Sequence, residues 1–206
     1  MGGGKALHDK RVAVLIDGGY MDKILYEAGS MKVSFSRLAN KLARGKPLLR
    51  TYYYHCLPHL SQRPTPEEQT FYANKERFFN ALRRLDDFEV RLGHLAPRGW
   101  DNAGNRILEQ KGVDVYLAVD VCRLSYTGSV SEIILVAGDG DLAPAVALAK
   151  DLGIKVCLWF GESPSTRVSE QLWYICDQRR ALDVAILEEC LLSPAPERRD
   201  NDAGQL

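Results

Sequence analysis

Four aspartates stand where this chain could do chemistry. Asp17 ends the apolar run Val12-Ala13-Val14-Leu15-Ile16, and Asp139 and Asp141 follow the run Ile133 to Ala137 in the stretch Gly138-Asp139-Gly140-Asp141. Asp114 belongs to Lys111-Gly112-Val113-Asp114, at the head of another apolar segment. Gathered carboxylates attract one another only through a cation. Two like charges ~4 Å apart at an effective dielectric of ~20 repel by roughly 4 kcal/mol, so four acids in one place need a divalent ion or protons. Oxygen donors without His or Cys suit Mg²⁺ or Mn²⁺. Such an ion could activate water and neutralise charge at a phosphodiester.

The elements that must position these acids follow from hydrophobic patterning. Ile133 to Ala137 is apolar and rich in β-branching, which predicts a strand buried on both faces, as in a parallel sheet. Arg11 to Asp17 reads the same way. Open α/β sheets keep their ligands at the C-terminal ends of strands, so Asp17 and Asp139 are expected at one end of neighbouring strands. Asp141 is expected to cap a helix with Pro144 in its first turn, running to Leu152 and closed by Gly153. Gly112 to Ser125 reads as a helix that is apolar nearly all round and hence buried, with Asp114 at its favourable N-terminal end. Asp120 lies six residues further on, about 120° round that helix, and is less well aimed.

The remaining chain supplies the frame. Gly18-Gly19 should turn into a helix reaching Ala28, followed by a helix over 34–44 and a strand over 48–57. A Pro-bearing loop covers 58–66, a helix 67–85 and a strand 88–95, with a hairpin return across 97–106. A strand is expected over 154–160, a short helix over 165–174 and a last helix over 184–192. Strands alternating with helices give one α/β domain with a mainly parallel sheet. Its bounds are read as 11–192, after a flexible, Gly-rich lead over 1–10 and before a disordered polar tail over 193–206.

Composition narrows the function classes. With 206 residues, 46% of them hydrophobic, the chain can build a sizeable core. Lys+Arg and Asp+Glu balance at 27 each, so affinity for nucleic acid must come from a local patch. The five cysteines are widely spaced and form no Cys-x-x-Cys pair, which argues for reduced core thiols over a zinc site. No apolar run is long enough for a membrane span and the N-terminus has no apolar signal core, so a cytoplasmic location without membrane partner is expected.

Val14-Leu15-Ile16-Asp17-Gly18-Gly19-Tyr20, Lys111-Gly112-Val113-Asp114-Val115 with Asp120, and Gly138-Asp139-Gly140-Asp141 resemble the NYN domain, a PIN-like nuclease group, in its bacterial LabA-like branch. The similarity spans about residues 11–182, and Ser169-Glu170-Gln171-Leu172 with Asp177 resembles the family's closing segment. Ala137 and Leu142 depart from its usual Ser and Phe. The resemblance implies a PIN-like three-layer α/β/α sandwich and Mg²⁺- or Mn²⁺-dependent ribonuclease activity. It makes Asp17, Asp114, Asp139 and Asp141 the metal-binding and catalytic acids, with Asp120 a further candidate. PIN-like domains often pair, which leaves a homodimer open, and Trp159 or Trp173 could lie at such an interface.

Single-stranded RNA is the expected substrate, because a cleft at strand ends follows a flexible strand more easily than a rigid duplex. Lys111 could contact a phosphate there, and Tyr20 could stack on a base. Arg37, Lys41 and Arg44 form a basic stripe that reads more simply as a solvated face, and His55 and His59 read as loop residues. Among rivals, Gly138-x-Gly140-x-x-Ala143 matches the dinucleotide fingerprint, but it lies late in the chain and would turn two aspartates toward a pyrophosphate. A haloacid-type phosphatase would need an acid at Gly19. The alternative that remains is a catalytically weak RNA-binding or protein-interaction module with a PIN-like fold.

Overall fold

The computed structural model describes residues 11–100 and 106–192; the lead and tail expected to be flexible lie outside these residues. In chain order the strands are β1 (Val12–Asp17), β2 (Leu48–Cys56), β3 (Phe88–Trp100), β4 (Arg106–Lys111), β5 (Glu132–Val136), β6 (Lys155–Phe160) and β7 (Gln178–Ala181). The helices are α1 (Gly18–Glu27), α2 (Phe35–Ala43), α3 (Pro66–Arg83), α4 (Val113–Tyr126), α5 (Ala143–Asp151), α6 (Glu170–Ile175) and α7 (Val184–Glu189). One sheet runs β4-β3-β2-β1-β5-β6-β7. Six of its strands are parallel, and β4 returns antiparallel on β3; the return expected across 97–106 comes later, because β3 itself continues to Trp100 and Arg106–Lys111 pair back on it.

β1 and β5 lie side by side at the centre, with Ile16 in register with Val136. All five residues from Val12 to Ile16 and all five of β5 are buried. Alternation along the strands then sends side chains into two separate cores. Ala13, Leu15, Tyr52 and Tyr54 pack with α4 and α5, whereas Val12, Val14, Ile16 and Tyr53 pack with α1, α2 and Phe79 of α3. Helices thus cover both faces of a mainly parallel sheet, giving the three-layer α/β/α sandwich.

Several details differ from the sequence reading, each for a local reason. The expected helix from Asp141 is a 3-10 turn (Gly140–Leu142) leading into α5, and its cap is Asp139, not Asp141. The expected helix over 165–174 divides into a 3-10 turn (Pro164–Thr166), an extended stretch and α6. β7 went unread because Gln178-Arg179-Arg180-Ala181 has no apolar alternation; backbone pairing to β6 alone makes it a strand.

α4 is not buried all round. Leu117, Val121 and Leu124 enter the core, but Val115, Val119 and Tyr126 are 63%, 55% and 84% exposed. Trp159 is a core residue and offers no interface. The basic stripe on α2 serves the chain itself. Lys41 pairs with Glu189, Arg44 with the buried Glu132, and Arg37 donates to the Leu191 carbonyl at 3.0 Å. Among the described residues no helix is long and apolar enough to cross a membrane.

Candidate active site

An open cleft of about 970 Å³ lies at the C-terminal end of the central strands, lined by Asp17, Asp114 and Asp139. Asp17 is both the last residue of β1 and the N-cap of α1. Its Oδ1 accepts from the Gly19 N–H at 2.9 Å and the Tyr20 N–H at 3.2 Å. The carboxylate is therefore fixed in direction by backbone donors that the helix start leaves unpaired. Burial pushes its pKa up, against the opposing pull of those two N–H groups, His55 and Lys23.

Asp139 stands three residues beyond β5, extended at φ −82° and ψ 131°, and its Oδ1 accepts from the Asp141 N–H at 2.9 Å. Asp141 is exposed beside it in the 3-10 turn and is not part of the cleft wall. Asp114 comes from the other direction, in the first turn of α4, after Gly112 at φ +88° has swung the chain out of β4. Its pKa is raised by burial, then by the charges of Asp17, Asp139 and Asp141. Three loops distant in sequence thus place four acids in one electrostatic field.

Two glycines let those loops close. A Cβ on Gly138 would meet the Tyr20 ring at 2.6 Å, and one on Gly140 would meet Ser169 Oγ at 2.5 Å. The Ser169 N–H also donates to the Gly138 carbonyl at 2.9 Å, so the segment before α6 is stitched to the rim.

Other expected site residues take different places. Tyr20 is 6% exposed, and its hydroxyl donates to the Thr166 carbonyl at 2.6 Å and accepts from the Gly161 N–H at 3.3 Å. Held this way, it lines and braces the cleft wall while remaining almost wholly buried. Asp120 is buried away from the cleft among Arg91, Arg123 and the Tyr54 hydroxyl, the last at 2.9 Å. Its position on α4 turns it toward β2 and β3, as the helix geometry implies. Lys111 is exposed at the end of β4 and does not line the cleft.

Sequence reasoning missed Asp22, Lys23, His55 and Arg167, all of which line the cleft. Asp22 and Lys23 follow Gly19 by three and four residues on α1, a spacing that puts them on one helix face. His55 is no loop residue. It is buried in β2, with Nε2 at 3.1 Å from Asp22, which also receives Lys75 at 2.7 Å. Desolvation raises the pKa of Asp22, but hydrogen bonds from His55 and Lys75 outweigh it and leave the net value lowered. Arg167 had no sequence signal, because its loop is placed only by the fold.

Among the described residues, no three Asp, Glu, His or Cys side chains stand close enough to form a ready metal shell. The donor chemistry nonetheless fits Mg²⁺ or Mn²⁺. Mg²⁺ is commonly held by one or two carboxylates while keeping several waters, and Asp17 and Asp139 offer that arrangement.

Comparison with known proteins agrees with this architecture. A relative from Sinorhizobium fredii (strain NBRC 101917 / NGR234), the uncharacterized protein y4oD, is 32% identical over 78 residues. That match covers 38% of this chain and 32% of the relative, so the chain spans about a third of that protein's length. The crystal structure of VPA0982, a protein of unknown function from Vibrio parahaemolyticus RIMD 2210633, superposes with a TM-score of 0.59 at 20% identity. It covers 91% of this chain and 99% of its own, a likeness of fold alone. The NYN domain family model matches residues 11–179. This chain therefore belongs to the NYN domain family of the PIN-like superfamily, a generally nuclease-like group whose nucleases generally use divalent metals.

Proposed function

We propose that this protein is a Mg²⁺- or Mn²⁺-dependent ribonuclease that hydrolyses phosphodiester bonds of single-stranded RNA. The observation that carries the reading is the convergence of Asp17, Asp114 and Asp139 on one cleft, with Asp141 near enough to raise Asp114. Such repulsion among acids is relieved by a cation. Asp17 and Asp139 would hold the ion. When bound, it supplies positive charge against the phosphate and acidifies water. Asp114, with its proton affinity raised, is suited to accept the proton of an attacking water. Lys23 and Arg167 bring cationic groups to the wall along which the strand's phosphates would lie.

The test is incubation with labelled RNA and DNA, single- and double-stranded, in Mg²⁺, Mn²⁺ or EDTA, for the parent and Asp139→Asn. Metal-dependent cutting of single-stranded RNA, reduced by orders of magnitude in the variant, is expected. An active but destabilised variant would sink the assignment of Asp139, and faster cutting of a blunt duplex would overturn the substrate.

A second reading has one observation in its favour, the lack of a ready three-ligand metal shell among the described residues. In that reading the chain binds RNA or a protein without efficient cleavage. RNA binding that persists in EDTA, with no products in any metal, would select it. In either case we place pairing with a second copy on the exposed apolar stripe of α4, because Val115, Val119 and Tyr126 are more than half exposed among the described residues.

A further inference from the structure

Beside the acidic cleft lies a second concavity of about 490 Å³ that the proposed chemistry does not use. Arg167, Val168 and Glu170 line both, so the two are continuous. The walls differ in character. Where the cleft is acidic, this pocket is aromatic, with Phe160, Trp173 and Tyr174. Trp173 meets Phe160 edge-on, with ring centroids 4.9 Å apart at 71°. Arg179 lies over the Trp173 ring at 5.6 Å, and is itself anchored to the Trp173, Tyr174 and Cys176 carbonyls. The indole is therefore a fixed wall. Tyr174, the next residue on α6, is 76% exposed, a large aromatic standing in solvent at the pocket rim.

We propose that this pocket is a subsite for one unpaired nucleobase of a strand whose phosphates pass the acidic cleft. The assignment rests on the RNA-cleaving reading above, and it names the part of the substrate recognised next to the cut. Four features suit a base. Aromatic faces stack on any base, and an adjacent cation holds the connecting phosphate, as in other sites for single strands. Arg167 is at the junction of the two concavities, where that phosphate would pass. Glu170, Trp173 and Tyr174 follow one another at helical spacing on one side of α6. Glu162, in the loop after β6, lines the same pocket.

The two carboxylates make the subsite selective. Glu162 and Glu170 bring carboxyl oxygens, which as carboxylates accept hydrogen bonds and donate none. Cytosine offers its exocyclic amino group to such an acceptor. Uracil has an oxygen at that position and offers a carboxylate its single N3–H, flanked by two oxygens, whereas cytosine's amino group presents two N–H donors. Between pyrimidines of equal size, the pocket favours cytosine.

The experiment measures binding of fluorescently labelled octacytidine, octauridine and an abasic ribose-phosphate octamer by anisotropy, in EDTA so that nothing is cut. Cleavage in Mn²⁺ is measured separately. Octacytidine should bind more tightly than octauridine, and both more tightly than the abasic strand. Tyr174→Ala, at an exposed position that should not disturb folding, should weaken octacytidine by about 5- to 150-fold and leave the abasic strand unchanged. Glu162→Ala with Glu170→Ala should erase the preference for cytosine. Equal binding of all three strands, or a Tyr174→Ala loss that also appears on the abasic strand, overturns the subsite. If Asp139→Asn abolishes cutting while Tyr174→Ala binds like the parent, the nuclease reading stands and the subsite fails. If base-dependent binding is found without cutting in any metal, the subsite stands and the nuclease reading fails. No binding of any strand would sink both.

Discussion

At the scale of single residues, the cleft works by setting carboxylates against their surroundings. Asp114 holds its proton more tightly in the folded chain than in the unfolded one, because of burial and then of Asp17, Asp139 and Asp141. A carboxyl raised in this way costs no stability below the ordinary carboxylate range. The cost grows as pH climbs through the raised value, because the unfolded chain gives up its proton first. Asp114→Asn should therefore raise the melting temperature at pH 7 and leave it nearly unchanged at the acid end. For a domain of this size, relief of about 1 kcal/mol corresponds to roughly 2–4 °C. Melting curves across pH, without divalent metal, check this; a variant stabilised equally at every pH would exclude the electrostatic cause. Millimolar Mn²⁺ should raise the melting temperature of the parent, since an ion held by the gathered acids would bind only the folded form, and should do so less in Asp139→Asn. The fold should tolerate that variant, because an asparagine at 139 can still accept from the Asp141 N–H that the carboxylate now receives at 2.9 Å.

At the scale of elements, α4 separates two kinds of acid. Its first turn offers Asp114 to the cleft, and Asp120 further along is locked between strands and helix. Asp120 is 3% exposed and bonded to Arg91 and Arg123, whose side chains remain 34% and 47% exposed. Removing the buried partner leaves the Tyr54 hydroxyl and two arginines without their acceptor. Asp120→Ala should cost about 3 kcal/mol, discounted somewhat because both arginines can turn to water. Cleavage per folded molecule should survive. That is the opposite pairing to Asp139→Asn, and thermal melts beside activity assays will separate the two. An Asp120→Ala protein that melts like the parent but has lost activity would return Asp120 to the site.

At the scale of the whole molecule, the outer face of α4 carries an exposed apolar stripe, with Cys122 partly packed against the core at its margin. Val115, Val119, Cys122 and Tyr126 follow at four, three and four residues, so the stripe reads the same from either end. A twofold, antiparallel pairing of two α4 helices would set Val119 of each copy against Cys122 of the other, as isologous contacts require. Val119→Cys should then give a covalent dimer on mild oxidation, abolished by adding Cys122→Ser. The other four cysteines are buried and should not compete. Val119→Lys should shift the parent toward monomer in sedimentation. A parent that is monomeric at high concentration, with no crosslink in Val119→Cys, would remove α4 as the pairing surface.

The sequence by itself determined the strands of the sheet's centre, because runs such as Ile133 to Ala137 can satisfy their hydrophobicity only when covered on both faces. It also determined that Asp17 ends one such strand and that Asp139 closely follows another, since that depends on local order alone. The aspartate–glycine motifs and their spacing were enough to suggest the family. Tertiary structure decided what local pattern cannot encode. Asp139, not Asp141, caps the turn, because the chain leaves β5 extended and starts a 3-10 turn before its helix. β7 exists only because β6 offers it an edge. Tyr20 stands beside a catalytic candidate in sequence, yet packing against Gly138 and bonding to Thr166 buries it. His55 and Arg167 reach the cleft from segments 38 and 150 residues beyond Asp17. That approach is a matter of how β2 and the loop after β6 are stacked, which no short window of sequence contains.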